Sequence, residues 1–138
     1  MRILLVEDNP GDVRLTEEAL FETKSKHQLD HVPDGEAALK YLKQESPYEG
    51  SERPDLIFLD LNLPKIGGLE VLKRIKHDPS LNSIPILILT TSEAEQDIQK
   101  AYTSRANCYI TKPVDINQFI KVIQEVENYW FGITNLPD

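Results

Sequence analysis

The 138 residues carry a net charge of −8 at neutral pH, and 40% of them are hydrophobic. This length and apolar content predict one compact domain with its own core and little room for a second. An acidic chain of this size repels a phosphate backbone, so we expect no nucleic-acid partner. Cys108 is the only cysteine, which excludes an internal disulfide and favours a reducing compartment. No apolar run reaches membrane length, so we expect a cytoplasmic protein with no membrane partner.

Short apolar runs recur along the chain and predict buried strands. Continuous runs of this kind are typical of strands that are covered on both faces of a sheet. They lie at residues 3–6, 56–59, 84–89 and, in a shorter form, 107–110. Residues 27–32 are polar and alternating, which predicts a strand at the edge of the sheet.

Amphipathic stretches between these runs predict five helices. Pro10 fits the first turn of helix one with Asn9 as its cap, and Asp34 fits the cap of helix two. The third helix is marked by Leu69, Val71, Leu72 and Ile75 and ends near His77, whereas Ser92 and Asp115 are the predicted caps of helices four and five. Helix one takes its apolar positions from Val13, Leu15, Ala19 and Leu20, and helix five runs to about Tyr129. The longest predicted loop spans residues 46–54, and residues 130–138 form a tail outside the periodic pattern.

The order of elements is five strand–helix units. Such alternation predicts an α/β domain with a doubly wound, five-stranded parallel sheet, helices on both faces and right-handed crossovers. Ligands of open α/β sheets bind at the carboxyl ends of the strands. The residues that follow each apolar run are therefore the candidate site.

Three carboxylates, a hydroxyl and an ammonium follow the predicted strands. They are the carboxylates Glu7 and Asp8 after strand one and Asp60 after strand three, the hydroxyl of Thr90 after strand four and the ammonium of Lys112 after strand five. Asn62 follows Asp60 by two residues. Thr91 is an adjacent hydroxyl, but the expected end of the strand favours Thr90. Clustered carboxylates disfavour one another's ionisation unless a cation or shared protons intervene. Oxygen ligands without His or Cys nearby favour Mg²⁺ or Mn²⁺, and a carboxylate oxygen left free can act as a nucleophile on phosphorus.

These strand-end residues, with Pro113 after Lys112, resemble the receiver domains of two-component response regulators. The resemblance covers residues 1–129 as one receiver domain and leaves residues 130–138 as a C-terminal tail. It implies the flavodoxin-like or CheY-like fold with strand order 2-1-3-4-5. It also implies a phosphorelay switch that catalyses only its own phosphoryl transfer and dephosphorylation, with a sensor histidine kinase as donor and Mg²⁺ or Mn²⁺ as cofactor.

The resemblance assigns roles residue by residue. Asp60 resembles the phosphoacceptor, Asp8 a direct metal ligand and Glu7 a ligand acting through water. Asn62 would give its backbone carbonyl to the metal. Thr90 and Lys112 would contact the phosphoryl oxygens, Tyr109 is similar to the switch aromatic, and Lys112–Pro113 would be a cis peptide.

Two stretches and one long loop narrow the resemblance to single-domain regulators paired with bacterial phytochrome kinases. They are the opening Glu-Asp-Asn-Pro-Gly-Asp of residues 7–12 and the Asp-Leu-Asn-Leu-Pro-Lys of residues 60–65, together with the long loop after helix two. A phytochrome-type kinase is therefore the indicated partner.

Helix five carries apolar residues around roughly half its circumference, more than the ~100° that one sheet face needs. They are Ile116, Phe119, Ile120, Val122, Ile123, Val126, Tyr129 and Trp130. This excess has two interpretations. In the first, the tail folds back on its own domain. In the second, the chain forms a symmetric homodimer through helix four, strand five, helix five and the tail, and this surface is the output of phosphorylation.

Two other functions compete with the switch. A Mg²⁺-dependent phosphatase of small molecules is disfavoured, because no insertion could form a cap and residue 62 is Asn rather than a second Asp. A degenerate receiver acting only as a protein-interaction module is disfavoured by the complete acidic set.

Overall fold

A computed structural model of the chain describes residues 1–22, 27–91, 94–112 and 115–128. Its strands are β1 (Arg2–Val6), β2 (Gln28–Val32), β3 (Leu56–Leu59), β4 (Ile86–Thr90) and β5 (Cys108–Thr111). Its helices are α1 (Pro10–Phe21), α2 (Gly35–Leu42), α3 (Gly68–His77), α4 (Glu95–Thr103) and α5 (Ile116–Val126). The predicted alternation of five strands and five helices is confirmed.

The strands form one parallel sheet in the order β2-β1-β3-β4-β5. The predicted order is therefore confirmed, with β2 at an edge as its polar sequence indicated. The register aligns Val6 with both Val32 and Leu59. The carboxyl ends of the three neighbouring strands consequently lie side by side.

Alternate strand residues face opposite sides of the sheet and build two apolar clusters. Leu4 and Val6 pack with α2, α3 and α4 on one face, whereas Ile3 and Leu5 pack with α1 and α5 on the other. Phe58 and Phe119 meet at the second face, with ring centroids 5.3 Å apart. Both faces are covered, which explains why the central strands read as continuous apolar runs.

Three of the predicted helix caps are confirmed. The side chain of Asn9 accepts hydrogen bonds from two amides of α1, and the side chains of Asp34 and Asp115 each accept one at the start of α2 and α5. These bonds satisfy amide groups that have no partner within the helix. Ser92, the predicted cap of helix four, lies outside the described residues.

Some sequence expectations need correction. Leu15, assigned to the apolar face of helix one, is 47% exposed, and Thr16 is buried in its place. Thr16 can be buried because its hydroxyl donates to the carbonyl of Asp12 at 2.9 Å. Strand five begins one residue later than predicted and continues to Thr111.

Helix five buries less of its apolar surface than a fully covered helix would. Phe119 and Ile123 are buried, Val122 and Val126 are half-buried, and Ile116 is 42% exposed. Tyr129, Trp130 and the 130–138 tail lie outside the described residues. Among the helices that the structure describes, none has the length and apolar character needed to span a bilayer.

Candidate functional site

The backbone at the carboxyl edge of the sheet fixes the two buried carboxylates of the site. Glu7 follows β1, and its backbone N–H donates to the carbonyl of Val32 at 3.1 Å. Asp60 follows β3, and its backbone N–H donates to the carbonyl of Val6 at 3.2 Å. Both bonds extend the sheet one residue beyond the strands. Glu7 is 2% exposed and Asp60 is 6% exposed, so each carboxylate has lost most of its water.

The loop after β3 holds the Asp60 carboxylate in one orientation. Its Oδ1 accepts a hydrogen bond from the Asn62 N–H at 2.9 Å. The loop then turns back tightly, and the backbone N–H of Gly68 donates to the carbonyl of Leu61 at 3.1 Å. A Cβ at Gly68 would lie 2.1 Å from the Asp60 carbonyl oxygen, so only glycine fits this approach. The start of α3 is thereby packed against the backbone of Asp60.

Lys112 lies at the centre of the carboxylates. The backbone N–H of Lys112 donates to the carbonyl of Thr90 at 2.7 Å, which fixes the Lys112 backbone at the end of β5. Its Nζ contacts Glu7, lies 2.8 Å from Asp12 Oδ2 and lies 3.0 Å from Asp60 Oδ2. One ammonium therefore uses its three donors on three carboxylates.

Asp12 was not among the residues predicted from the sequence. It lies in the first turn of α1, one turn beyond Asp8, and its side chain reaches Lys112. The available signal was an acidic residue near the start of a helix that begins beside the predicted site. Such residues are usually explained by the helix dipole alone, so the signal is weak.

Burial and charge shift the protonation of the site in different directions. Burial raises the pKa of the Glu7 carboxyl to about 7; the Lys112 hydrogen bond opposes this shift and neighbouring Asp60 adds to it. Burial also acts to raise the pKa of Asp60, but hydrogen bonds from Asn62, Glu7 and Lys112 outweigh it and leave that pKa below its ordinary value. Near neutral pH, Asp60 is therefore ionised while Glu7 readily holds a proton.

The ammonium of Lys112 stays charged despite being enclosed. Burial acts to lower the pKa of Lys112, whereas its hydrogen bonds to Asp12, Glu7 and Asp60 raise the pKa above the ordinary value. A permanently charged donor beside an ionised carboxylate can neutralise further negative charge placed on that carboxylate.

Glu7, Asp8 and Asp60 form a group that can hold a divalent cation. One carboxylate oxygen from each lies within 4.8 Å of the others, with Asp8 exposed and the other two buried. All the donors are oxygens, which suits a hard ion such as Mg²⁺ or Mn²⁺. The pKa of Glu7 is raised chiefly by burial and further by the neighbouring Asp60 charge, and a bound cation would favour the ionised carboxylate. The predicted acidic residues therefore fit a metal.

The remaining predicted residues surround this group. Thr90 is fully buried at the end of β4, and its Oγ1 accepts a hydrogen bond from Asn62 Nδ2 at 3.2 Å. Thr91 Oγ1 lies 3.5 Å from the same amide nitrogen, and Thr91 is exposed. Tyr109 is half-buried on β5 and packs against the cluster that contains Ile88. Pro113 of the expected cis peptide lies outside the described residues.

A histidine also contacts the site backbone. His31 Nε2 lies 2.7 Å from the carbonyl oxygen of Glu7, so Nε2 must carry the proton that it donates. His31 is exposed on β2. Only the pairing of β2 with β1 brings it beside Glu7.

Known proteins share both the sequence pattern and the fold of this chain. The sequence pattern of the response regulator receiver domain matches residues 3–124. Response regulator Rcp1 of Synechocystis sp. is 45% identical over 98% of this chain and 92% of its own length. The crystal structure of the phosphorylated cyanobacterial phytochrome response regulator RcpA superposes with a TM-score of 0.83 at 46% identity, covering 99% of this chain and 98% of that one. The Mn²⁺-bound form of Rcp1 gives a TM-score of 0.83 at 44% identity, with 99% of both chains covered.

Proposed function

This chain belongs to the response regulator receiver domain family, and on that premise we propose that Asp60 is the phosphoacceptor of a two-component switch. The observation that carries the proposal is the pairing of Asp60 Oδ2 with Lys112 Nζ at 3.0 Å beside the Glu7 and Asp8 carboxylates. A buried, ionised carboxylate with a fixed ammonium and a cation-binding group is suited to nucleophilic attack on phosphorus.

The reaction is a transfer from a phosphohistidine of the partner kinase. An oxygen of Asp60 forms a bond to phosphorus as the phosphorus–nitrogen bond breaks, and the imidazole nitrogen leaves with the bonding electrons and takes up a proton. Water later attacks the acyl phosphate, releasing inorganic phosphate and restoring the Asp60 carboxylate. The chain thus catalyses its own phosphorylation and dephosphorylation and turns over no other substrate.

Glu7, Asp8 and Asp60 are the proposed metal-binding side chains, with the backbone carbonyl of Asn62 completing the set. A bound Mg²⁺ or Mn²⁺ would neutralise charge on the transferred phosphoryl group. The similarity of this chain to the Mn²⁺-bound form of Rcp1 supports a divalent ion as the cofactor. Lys112 would supply a second positive charge, and the 3.0 Å distance from its Nζ to Asp60 Oδ2 supports this role.

Thr90 and Tyr109 are the proposed parts of the switch. The Thr90 hydroxyl is buried beside Asn62, within the edge that the phosphoryl group would occupy. A hydrogen bond from Thr90 to a phosphoryl oxygen would draw β4 and its following loop towards Asp60. Tyr109, half-buried on the neighbouring strand, would then move inward and change the surface of α4, β5 and α5.

The proposed partners are a sensor histidine kinase of phytochrome type and a second copy of the chain. The relative RcpA is described as a phytochrome response regulator, which supports the kinase class. The exposed side chains of Tyr102 on α4 and Ile116 at the start of α5 support a docking surface for a homodimer. We place the protein in the cytoplasm, where its free Cys108 stays reduced.

The experiment that tests the phosphoacceptor is chemical labelling. The protein is incubated with acetyl phosphate and Mg²⁺ and its intact mass is measured, and we expect one added phosphate that survives acid and is lost in base. Asp60→Asn should abolish the added mass. Asp55→Asn is the matched control, because Asp55 precedes the same strand at the opposite end of the sheet and contacts the Arg2 N–H. Equal labelling of the Asp60 variant and the wild type would overturn the assignment.

A further inference from the structure

Lys112 is shared between the proposed metal site and a carboxylate outside it. Two of its three carboxylate partners, Glu7 and Asp60, belong to the group that can hold a cation. The third, Asp12, does not, although its Oδ2 lies 2.8 Å from Lys112 Nζ. Asp12 therefore remains available to the ammonium when a cation occupies the other carboxylates.

The start of α1 directs Asp12 towards the site. The side chain of Asn9 accepts hydrogen bonds from the N–H groups of Gly11 at 2.8 Å and Asp12 at 3.2 Å. The Thr16 hydroxyl donates to the Asp12 carbonyl at 2.9 Å. These bonds fix the backbone of Asp12, whose side chain is 29% exposed, whereas that of Lys112 is 8% exposed.

We propose that Asp12 is a positioning residue that holds the Lys112 ammonium on the α1 side and weakens the site's hold on a phosphoryl group. The inference rests on the proposed function of Asp60. All three donors of Lys112 are committed to carboxylates, so one N–H must turn to a phosphoryl oxygen when Asp60 is modified. The bond to Asp12 restrains that turn, and the Asp12 charge offsets the ammonium. Asp12 thereby limits how long the phosphoryl group is retained.

This role predicts opposite effects on a bound cation and a bound anion. Neutralising Asp12 removes one negative charge near the metal-binding carboxylates, so a divalent cation should bind less tightly. The same change leaves Lys112 less neutralised, so an anionic phosphoryl mimic should bind more tightly. A purely structural role would weaken both, because damage to the site harms every ligand.

The test measures both ligands on the Asp12→Asn variant by isothermal titration calorimetry. Mg²⁺ is titrated alone, and beryllofluoride, the phosphoryl mimic, is titrated at saturating Mg²⁺. Removing a unit charge a few ångströms away should change each dissociation constant by about three- to tenfold. We expect weaker Mg²⁺ binding and tighter beryllofluoride binding, with slower loss of phosphate from the labelled protein.

Two further variants isolate the charge of Asp12. Glu17→Gln makes the same charge change at an exposed position of α1, and it should shift both constants by less than about twofold. Asp12→Glu keeps the charge and should leave both constants within about twofold of wild type. If Asp12→Glu behaves like Asp12→Asn, or if Asp12→Asn moves both affinities in one direction or neither, the proposal is overturned.

The labelling experiment separates this inference from the proposed function. If the wild type is not labelled but Asp12→Asn still weakens Mg²⁺ binding and tightens beryllofluoride binding, the phosphoacceptor is rejected and only the effect of Asp12 on ion binding at Lys112 stands. If the wild type is labelled but Asp12→Asn binds Mg²⁺ and beryllofluoride as the wild type does, the positioning role is rejected and the phosphoacceptor stands.

Discussion

The carbonyl oxygen of Asp60 lies 2.1 Å from the point that a Cβ on Gly68 would occupy. The first turn of α3 therefore rests directly on the backbone of the proposed phosphoacceptor. Any side chain at residue 68 must push that backbone aside, and the Asp60 carboxylate with it.

We expect Gly68→Ala to lower the free energy of unfolding by about 2 kcal/mol, because the methyl group meets backbone that cannot rotate away. Phosphate labelling should also slow. Urea unfolding and labelling rates measure the two effects. Gly67→Ala is the control, since a Cβ there meets nothing within 4 Å, and it should change stability by less than about 1 kcal/mol. Equal behaviour of the two variants would contradict the close packing.

The pH dependence of metal binding should follow Glu7. Its pKa in the cation-free protein is raised to about 7, chiefly by burial. The proton must leave before a cation takes its place, so Mg²⁺ affinity should rise by up to about tenfold per pH unit below pH 7 and level off above it. Asp60, whose pKa is lowered, is ionised throughout this range and adds no slope. Calorimetry in buffers of different ionisation enthalpy should detect the released proton.

Glu7→Gln is the variant that tests this assignment. It should bind Mg²⁺ more weakly, but with little change between about pH 6 and about pH 8. The cation-free wild type should also lose stability as pH rises from about 4.5 to about 7, because the folded state holds the Glu7 proton that the unfolded chain has released. A Glu7→Gln variant that keeps the wild-type slope would assign the proton to another group.

Removing Lys112 should destabilise the protein most when no cation is present. The Lys112→Met variant leaves Glu7 and Asp60 buried without their counter-charge, and we expect a loss of about 3 kcal/mol at neutral pH. Added Mg²⁺ should stabilise this variant more than the wild type. Lys65→Met is the control, because the Lys65 side chain is 60% exposed and its pairing with Asp34 at 3.6 Å is screened by water, so its loss should cost less than about 1 kcal/mol. Unfolding curves with and without Mg²⁺ that show no difference would refute the explanation.

The proposed homodimer should depend on the exposed ring of Tyr102 on α4. We expect Tyr102→Ser to weaken self-association, measured by light scattering on the phosphorylated and unphosphorylated protein. Phe21→Ser is the control, since Phe21 is also aromatic and is 87% exposed, but it ends α1 instead. A monomeric mass for the wild type in both states would reject the dimer.

Much of the site followed from the sequence because its residues stand directly after apolar strands. The runs before Glu7, Asp60 and Thr90 are local patterns, and the strand–helix alternation specifies a parallel sheet. Parallel strands place their carboxyl ends at one edge, so these residues converge whatever the details of helix packing. The family resemblance then supplied the strand order, which the structure confirmed.

The tertiary structure alone decided how the charges are partnered. Asp12 reaches Lys112, and Leu15 is exposed, only because α1 has a particular rotation about its axis against the sheet. His31 meets the Glu7 carbonyl only because β2 pairs with β1. A helical or strand pattern states which residues share a face, but the rotation of one element against another depends on contacts between residues distant in the chain.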